Sequence, residues 1–242
     1  MCVDWGPDGA PEYSLAMNSE ITTDPYEAIT SAKRAYAVGS SPEAMRAFYD
    51  TWSTTYDDDF GEAGGYIYPA QVANVYLSQA NSDDVPIADV GCGTGLVGLA
   101  LAPSGRPVDG FDVSLGMLAK AGDKHVYREL IEADLTIGPK EPSAYGAVVS
   151  SGTFTVGHLG PDALAKALHL GRTSALCVIG INSQHYRDAG FADCVAKWTE
   201  SGAISDLQVR TVPIYRDAGN PEDPADVALV LVFRLANAAL LT

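Results

Sequence analysis

A turn containing three closely spaced glycines is the feature of this chain with the clearest chemical meaning. Residues 87–95 read Ile-Ala-Asp-Val-Gly-Cys-Gly-Thr-Gly, so an apolar strand runs directly into the turn. Glycines allow a tight turn and a close approach of the backbone to a ligand because they have no Cβ. A helix predicted from Leu96 presents free N–H groups beside the turn. The pattern predicts a nucleotide-like cofactor site at the first strand–helix turn of an α/β sheet.

Two classes of cofactor fit this turn. Residues 93–98 match the dinucleotide fingerprint G-x-G-x-x-G, and Asp112 follows at about 20 residues as a ribose-binding acid. Asp89 argues against a dinucleotide, because its carboxylate would repel a pyrophosphate. It suits a cofactor that has an amino group and a sulfonium cation and no phosphate. The segment D-V-G-C-G-T-G at 89–95 resembles the first motif of class I S-adenosylmethionine-dependent methyltransferases, so S-adenosyl-L-methionine is favoured over NAD(P).

The rest of the sequence alternates strands and helices, which predicts a parallel sheet with helices on both faces. The last two strands have only a loop between them and should pair antiparallel. We therefore predict an α/β, Rossmann-like class I methyltransferase fold with a seven-stranded, mostly parallel sheet and an antiparallel C-terminal hairpin. The predicted strands are 86–90, 107–111, 129–132, 146–150, 173–181, 204–215 and 226–235, and the predicted helices between them are 95–102, 114–122, 161–170 and 188–201.

The N-terminal part of the chain precedes this alternation. We predict an N-terminal extension and helical cap over residues 1–60 and an S-adenosylmethionine-binding domain over 61–242. A serine, a proline and a glutamate at 41–43 are typical of a helix start. Further helices are predicted over 24–37 and 66–79, and a loop over 57–65.

Ligands of open α/β sheets bind outside the carboxyl ends of the strands, so the residues at those ends are the candidates for binding the cofactor. A carboxylate at Asp112 can accept hydrogen bonds from both ribose hydroxyls, although a loop acid or helix cap is the alternative. Asp134 could accept from the adenine amino group, or it could be a simple loop acid. The predicted cofactor-binding residues at the strand ends are Asp89, Gly91, Cys92, Gly93, Thr94, Gly95, Asp112, Val113, Met117, Ala133, Asp134, Leu135, Ser151 and Gly152.

Four further segments carry a more specific resemblance. They are F-Y-D-T-W-S-T-T-Y-D at 48–57, G-F-D-V-S-L-G-M-L at 110–118, Tyr127 with A-D-L at 133–135, and S-G-T-F-T-V-G-H at 151–158. With the glycine turn, they resemble the Williams–Beuren-region methyltransferase-like family over about residues 45–200. The resemblance implies S-adenosylmethionine binding and little about the acceptor.

The same resemblance implies that one or more of Tyr49, Trp52 and Tyr56 cover the cofactor pocket. Aromatic faces stabilise cations, which supports this interpretation. The spacing of the three residues is also that of an apolar helix stripe, so ordinary core packing is the alternative.

A general base is needed only where the acceptor is a poor nucleophile such as a hydroxyl. Histidine titrates near neutral pH, and His158, which follows the fourth predicted strand, is the first candidate. His185, after the fifth strand, is the second. A structural or exposed role is the alternative for both.

Composition limits the possible partners. The net charge is −16, and no basic patch is present, which argues against a nucleic-acid partner. No apolar run reaches the ~18 residues of a membrane span. The N-terminus does not have the shape of a signal peptide, and we expect a cytoplasmic protein. The four cysteines show no paired spacing, and no metal site is predicted.

These observations predict a methyltransferase that transfers a methyl group from S-adenosylmethionine to oxygen, nitrogen or sulfur of a small-molecule acceptor by in-line displacement. A catalytically silent S-adenosylmethionine-binding protein is the first alternative, and an NAD(P)-dependent reductase is the second. The sequence does not define the oligomeric state or the acceptor.

Overall fold

A seven-stranded sheet forms the centre of the molecule. The computed structural model describes residues 4–5, 11–12, 41–60, 65–139, 144–216 and 227–241. The sheet strands are β1 (Ile87–Val90), β2 (Val108–Asp112), β3 (Glu129–Glu132), β4 (Tyr145–Phe154), β5 (Gly171–Asn182), β6 (Ile204–Pro213) and β7 (Val227–Leu235). A separate two-residue pair joins Asp4–Trp5 to Pro11–Glu12.

The strand order is β3-β2-β1-β4-β5-β7-β6. Strands β1 to β5 are parallel, whereas β7 pairs antiparallel with both β5 and β6. The predicted seven-stranded, mostly parallel sheet with an antiparallel end is therefore confirmed. Because the strand order reverses direction between β1 and β4, a crevice opens at their carboxyl ends. Asp89 lies there, paired in register with Gly110 of β2 and Val149 of β4.

Helices cover both faces of the sheet and its carboxyl edge. They are α1 (Pro42–Trp52), α2 (Tyr56–Phe60), α3 (Tyr68–Gln79), α4 (Leu96–Leu101), α5 (Leu115–Asp123), α6 (Pro161–Leu168), α7 (Ser183–Asp188) and α8 (Phe191–Glu200). Short 3₁₀ turns follow at Ala102–Ser104 and Ala238–Leu240. The expected start of α1 is confirmed, because the Ser41 hydroxyl accepts a hydrogen bond from the Ala44 N–H at 3.2 Å.

One loop prediction was wrong, one helix begins later than predicted, and one helix prediction lies outside the described residues. Asp57, Asp58 and Asp59 were expected in a loop but form most of α2. Acidic residues in a first helical turn are stabilised by the helix dipole, which explains this helix. The single helix expected over 188–201 is interrupted at Gly190, whose φ of +83° starts α8. The helix predicted over 24–37 lies outside the described residues.

The core is divided into two layers by the sheet. Val148 of β4 faces a layer built with α6 and α8, which includes Leu164 and Trp198. Its neighbour Val149 faces the opposite layer, built with α3 and α4. Alternate residues of a strand point to opposite faces, so the central strands are apolar on both sides, as expected for a parallel sheet covered by helices.

Candidate functional site

A cleft opens at the carboxyl ends of β1 to β4. Its empty volume is about 740 Å³, including the space that is open to solvent. Residues from all four strand ends and from α1 and α2 contribute to its walls. The lining residues are Met45, Tyr49, Tyr56, Gly91, Gly93, Asp112, Val113, Met117, Ala133, Asp134, Leu135, Thr136, Ser151, Gly152, Thr153, His158 and Leu159.

The glycine turn forms the floor of this cleft, and its glycines have different roles. Gly91 and Gly93 line the cleft and adopt φ values of +66° and +54°. A Cβ at Gly91 would lie 2.0 Å from Thr153 Oγ1, so this position needs glycine for the close approach of two strand ends. A Cβ at Gly93 would meet no atom within 4 Å. Gly93 therefore leaves its backbone open to a ligand.

Asp112 at the end of β2 has the geometry of a ribose ligand. Its Oδ2 accepts a hydrogen bond from the Gly93 N–H at 2.9 Å, and its Oδ1 accepts from the Ser114 N–H at 2.9 Å. The helix-cap alternative belongs to Ser114, whose hydroxyl accepts from the Met117 N–H at 3.1 Å. Each carboxylate oxygen can accept a second hydrogen bond, so the fixed carboxylate retains acceptor capacity toward the cleft. Burial raises the pKa of Asp112, and its backbone hydrogen bonds oppose this rise.

Asp89 is fully buried and is held by a tyrosine. The Tyr127 hydroxyl donates a hydrogen bond to Asp89 Oδ2 at 2.6 Å. The other oxygen, Oδ1, has no hydrogen-bond partner among the described residues. Burial raises the pKa of Asp89 to about 7; the Tyr127 hydrogen bond opposes this rise and the nearby Asp112 carboxylate adds to it. A buried polar atom needs a partner, and this oxygen fits a cationic amino group and not a pyrophosphate.

Tyr127 occupies a slot that glycines leave open. A Cβ at Gly98 would lie 2.4 Å from Tyr127 Cζ, and a Cβ at Gly95 would lie 2.8 Å from Cε2. The Gly98 N–H donates a hydrogen bond to the Tyr127 hydroxyl at 3.1 Å. The second and third glycines of the dinucleotide-like pattern therefore accommodate this tyrosine side chain. The packing of Tyr127 explains why glycines occupy these two positions, and no bound dinucleotide is needed to account for them.

The ends of β2 and β3 form one half of the cleft. Val113 and Met117 line it beside Asp112, and the segment Ala133, Asp134 and Leu135 lies after β3. Asp134 Oδ1 accepts hydrogen bonds from the Thr136 N–H at 2.8 Å and from its hydroxyl at 2.6 Å. The loop acid is thus fixed at the cleft wall, where it can also meet a ligand.

The end of β4 forms the other half. Ser151 and Gly152 line the cleft, and the Ser151 hydroxyl is buried without a hydrogen-bond partner among the described residues. His158 is 6% exposed and lies in the wall, with its ring 5.8 Å from that of Tyr49 in an edge-on arrangement.

Helices α1 and α2 cover the cleft with aromatic side chains. Tyr49 and Tyr56 line it, as does Met45, which the sequence analysis did not single out. Trp52 is buried between the two tyrosines, with ring distances of 5.8 Å to Tyr49 and 4.9 Å to Tyr56, and its indole N–H donates to Asp59 at 2.6 Å. The tryptophan therefore supports the covering tyrosines and lies outside the lining.

Polar contacts connect α1 and α2 to the strand-end loops. Asp50 Oδ1 accepts hydrogen bonds from the Ser114 hydroxyl at 2.6 Å and from the Gly116 N–H at 3.0 Å. Asp57 accepts from the Thr94 hydroxyl at 2.5 Å and pairs with Lys124 at 2.5 Å. The sequence analysis did not predict these contacts, because the residues that make them are far apart in the sequence.

Asp89 and Trp52 do not line the cleft. Four other site residues predicted from the sequence also lie outside its lining. Cys92 is buried, and burial raises the pKa of its thiol well above the ordinary value. The Thr94 hydroxyl donates a hydrogen bond to Asp57, and Gly95 lies against the ring of Tyr127. One ring nitrogen of His185 lies 3.0 Å from the Leu159 carbonyl oxygen, and its ring packs against Phe191. His185 therefore lies behind the wall, outside the cleft lining.

The described part of the chain contains no group of three or more His, Cys, Asp and Glu side chains that could hold a metal ion. It also contains no helix long and apolar enough to cross a membrane.

Comparisons with known proteins agree with this fold. Residues 87–172 match the model of a methyltransferase domain. A TehB-like S-adenosylmethionine-dependent methyltransferase from Corynebacterium glutamicum is similar in structure, with 20% identity, coverage of 78% of this chain and 98% of that chain, and a TM-score of 0.56. Magnesium protoporphyrin IX methyltransferase from Synechocystis PCC 6803, solved with bound S-adenosylmethionine, gives 14% identity, coverages of 90% and 100%, and a TM-score of 0.52.

The cyclase SpnF has the same fold, with 13% identity, coverages of 82% and 98%, and a TM-score of 0.57. No curated protein sequence matches this chain. The fold is thus that of the class I methyltransferases, and the matched methyltransferase domain implies S-adenosyl-L-methionine as the cofactor. The resemblance to the Williams–Beuren-region family stays a prediction from the sequence motifs.

Proposed function

We propose that the protein is a methyltransferase that transfers the methyl group of S-adenosylmethionine to a small-molecule acceptor. The observation that carries the proposal is the buried, unpartnered Oδ1 of Asp89 next to the glycine turn. An isolated carboxylate there is costly, and a cationic amino group of the ligand would offset that cost. A cofactor that carries phosphate would increase this cost, because its negative charge would repel the carboxylate.

Two acids of the cleft lining and the buried Asp89 behind it would divide the binding of the cofactor among them. Asp112 would accept hydrogen bonds from the ribose hydroxyls, and Asp134 from the adenine amino group, with Ala133 and Leu135 beside the ring. Asp89 would bind the amino group of the methionine part. Gly93 would allow close contact with the backbone, since it has no Cβ. When bound, the cofactor supplies a methyl group on a cationic sulfur.

The protein's own part in the reaction is to align the acceptor and to exclude water. Alignment of reacting atoms can supply a large part of the acceleration of a displacement reaction. Helices α1 and α2 cover the cleft through Tyr49 and Tyr56. This contact supports a cap within residues 1–60 on a domain formed by 61–242. His158 in the wall would take the proton of a hydroxyl acceptor. A thiol or amine acceptor needs no such base.

Calorimetric titration of the purified chain with S-adenosylmethionine, S-adenosylhomocysteine and NADH tests the cofactor. We expect micromolar binding of the first two and no binding of NADH. Binding of NADH alone would contradict the role given to Asp89 and would favour a reductase.

Turnover needs a second experiment, because a silent binding protein would also pass the first. Incubation with methyl-labelled S-adenosylmethionine and fractionated metabolite extracts should produce a labelled small molecule. Cofactor binding without label transfer to any fraction would support the binding-protein alternative.

A further inference from the structure

We propose that the end of the cleft at β4 binds the methyl acceptor against a wall of tyrosines, and that this acceptor is an uncharged aromatic hydroxy compound. The inference rests on the proposed methyl transfer and names its substrate class. The tyrosine wall consists of Tyr49, Tyr56, Tyr66 and Tyr215. All four side chains are partly exposed.

The position of the wall follows from the direction of the cleft. Under the proposed function, Asp112 and Asp134 would anchor the adenosine part at the ends of β2 and β3. Because the strand order continues through β1 to β4, the reacting end of the cofactor would extend toward Ser151 and Gly152. An acceptor would therefore approach from the β4 side. Tyr66 lies on this side, beside Gly152.

Packing around one tryptophan makes the wall continuous. Trp52 packs against all four tyrosines of the wall. The rings of Tyr66 and Tyr215 lie 5.7 Å apart, and their backbones form an antiparallel bridge. Aromatic rings at such distances favour further aromatic neighbours in stacked or edge-on contact.

The wall reaches the cleft at Gly152. A Cβ on this glycine would lie 3.1 Å from the Tyr66 hydroxyl, and its φ of +80° favours glycine. The neighbouring Ser151 hydroxyl is buried and has no hydrogen-bond partner among the described residues. A hydroxyl both donates and accepts, so it matches a hydroxyl group on a ligand. The site thus offers aromatic surface beside a polar group that needs a partner.

The charges at the site select against an anionic acceptor. Asp112 and Asp134 line the cleft, and among its described lining residues there is no lysine or arginine. Arg216 follows Tyr215 in the chain but is exposed. A carboxylate or phosphate on the acceptor would lose its hydration without gaining a cationic partner. An ammonium group would in turn be repelled by the sulfonium cation of the cofactor.

An uncharged hydroxyl also matches the histidine in the wall, which can act as a base. His158 packs edge-on against Tyr49. In the transfer, the hydroxyl proton passes to the His158 imidazole and the oxygen electron pair forms the bond to the methyl carbon. The electron pair of the broken carbon–sulfur bond stays on sulfur, which becomes neutral.

Binding to the full chain loaded with S-adenosylhomocysteine tests the substrate class. The probes are para-ethylphenol and para-hydroxyphenylacetate, which share a phenol and differ in the charge of the side group. We expect para-ethylphenol to bind at least about tenfold more tightly than the acetate. Equal or tighter binding of the acetate overturns the inference, and so does the absence of binding by both probes.

A matched pair of variants locates the binding. Tyr215→Leu should weaken the binding of para-ethylphenol about fivefold or more and leave the affinity for S-adenosylhomocysteine within about twofold. Tyr186→Leu is the control, because Tyr186 stacks on Phe191 outside the cleft lining. Equal effects of the two variants overturn the assignment of the wall. If S-adenosylhomocysteine does not bind to the unaltered chain, the proposed function itself fails.

Discussion

The Tyr127 hydroxyl donates a hydrogen bond to Asp89 at 2.6 Å from within a slot that Gly95 and Gly98 leave open. Burial raises the pKa of this hydroxyl well above its usual value, so it stays protonated and continues to donate. It engages Oδ2 of the carboxylate, and Oδ1 has no partner among the described residues. Under the proposed function, Tyr127 is therefore a positioning residue that would orient Asp89 toward the amino group of the cofactor.

Tyr127→Phe tests this role because phenylalanine still fills the slot. The variant should remain folded and should bind S-adenosylmethionine about tenfold more weakly, since a hydrogen bond to a charged group contributes about 1.5–3 kcal/mol. Calorimetric titration measures the affinity. Tyr145→Phe is the matched control, because Tyr145 donates to the buried Asp109 at 2.8 Å and neither residue lines the cleft. A similar loss in both variants would contradict the positioning role.

The raised pKa of Asp89 predicts how stability depends on pH. The ordinary value of 3.8 applies to the unfolded chain, and the folded value is about 7. Between these values the folded state holds a proton that the unfolded state has lost. The contribution of Asp89 to the free energy of unfolding therefore falls as pH rises toward about 7, and it changes little above.

Denaturant unfolding of the wild-type chain and of Asp89→Asn at several pH values isolates this contribution. The difference in unfolding free energy between the two should change across pH 5–7, because asparagine does not titrate. The affinity for S-adenosylmethionine should rise with pH over the same window, since the ionised carboxylate binds the amino group. A pH-independent difference between the two proteins would mean that Asp89 titrates as an ordinary carboxyl.

Local patterns in the sequence were sufficient to predict the sheet and one side of the candidate site. The turn before Leu96 and the acid that ends β2 are encoded within a few residues, and Asp112 does lie in the cleft. Long-range partners were not predictable. Tyr127 and Asp89 are 38 positions apart, and Asp57 and Lys124 are 67 apart. Spacing alone gives no signal for such pairs because their contact depends on the packing of whole elements.

The error at α2 has the same origin. Three consecutive aspartates are typical of a solvated loop, and the helix dipole offsets only part of their repulsion. In the structure, Asp57 is held by Lys124 and Thr94, and Asp59 accepts a hydrogen bond from Trp52. Partners from other elements thus stabilise a helix that the local sequence disfavours.

Asp112→Ala removes the proposed ribose ligand. The affinity for S-adenosylmethionine should fall by about tenfold or more, because two hydrogen bonds to a charged acceptor are lost at about 1.5–3 kcal/mol each. Asp123→Ala, an exposed position on α5, serves as the control and should bind normally. Unchanged affinity in a folded Asp112→Ala protein would remove Asp112 from the site.

The contact of α2 with the glycine turn predicts a salt-sensitive cap. Asp57 binds Thr94 and Lys124, and its side chain is 42% exposed, so added salt should screen the pair with Lys124. Asp57→Ala should release S-adenosylhomocysteine several-fold faster in stopped-flow experiments at low salt, with a smaller difference at high salt. Asp58→Ala is the control, since Asp58 is exposed and adjacent. Equal release rates in both variants would rule out a capping role for this contact.

Gly98→Ala tests the slot itself. The added Cβ would lie 2.4 Å from Tyr127 Cζ, so the tyrosine must move or the helix must shift. Overpacking of this kind costs about 1–3 kcal/mol in the free energy of unfolding. Gly160→Ala provides the comparison, because a Cβ there meets nothing within 4 Å and its φ is −95°. Denaturant unfolding should show destabilisation only for Gly98→Ala, with weakened cofactor binding because Asp89 loses its donor. A Gly98→Ala protein as stable as the Gly160→Ala protein would show that Tyr127 can leave the slot without cost.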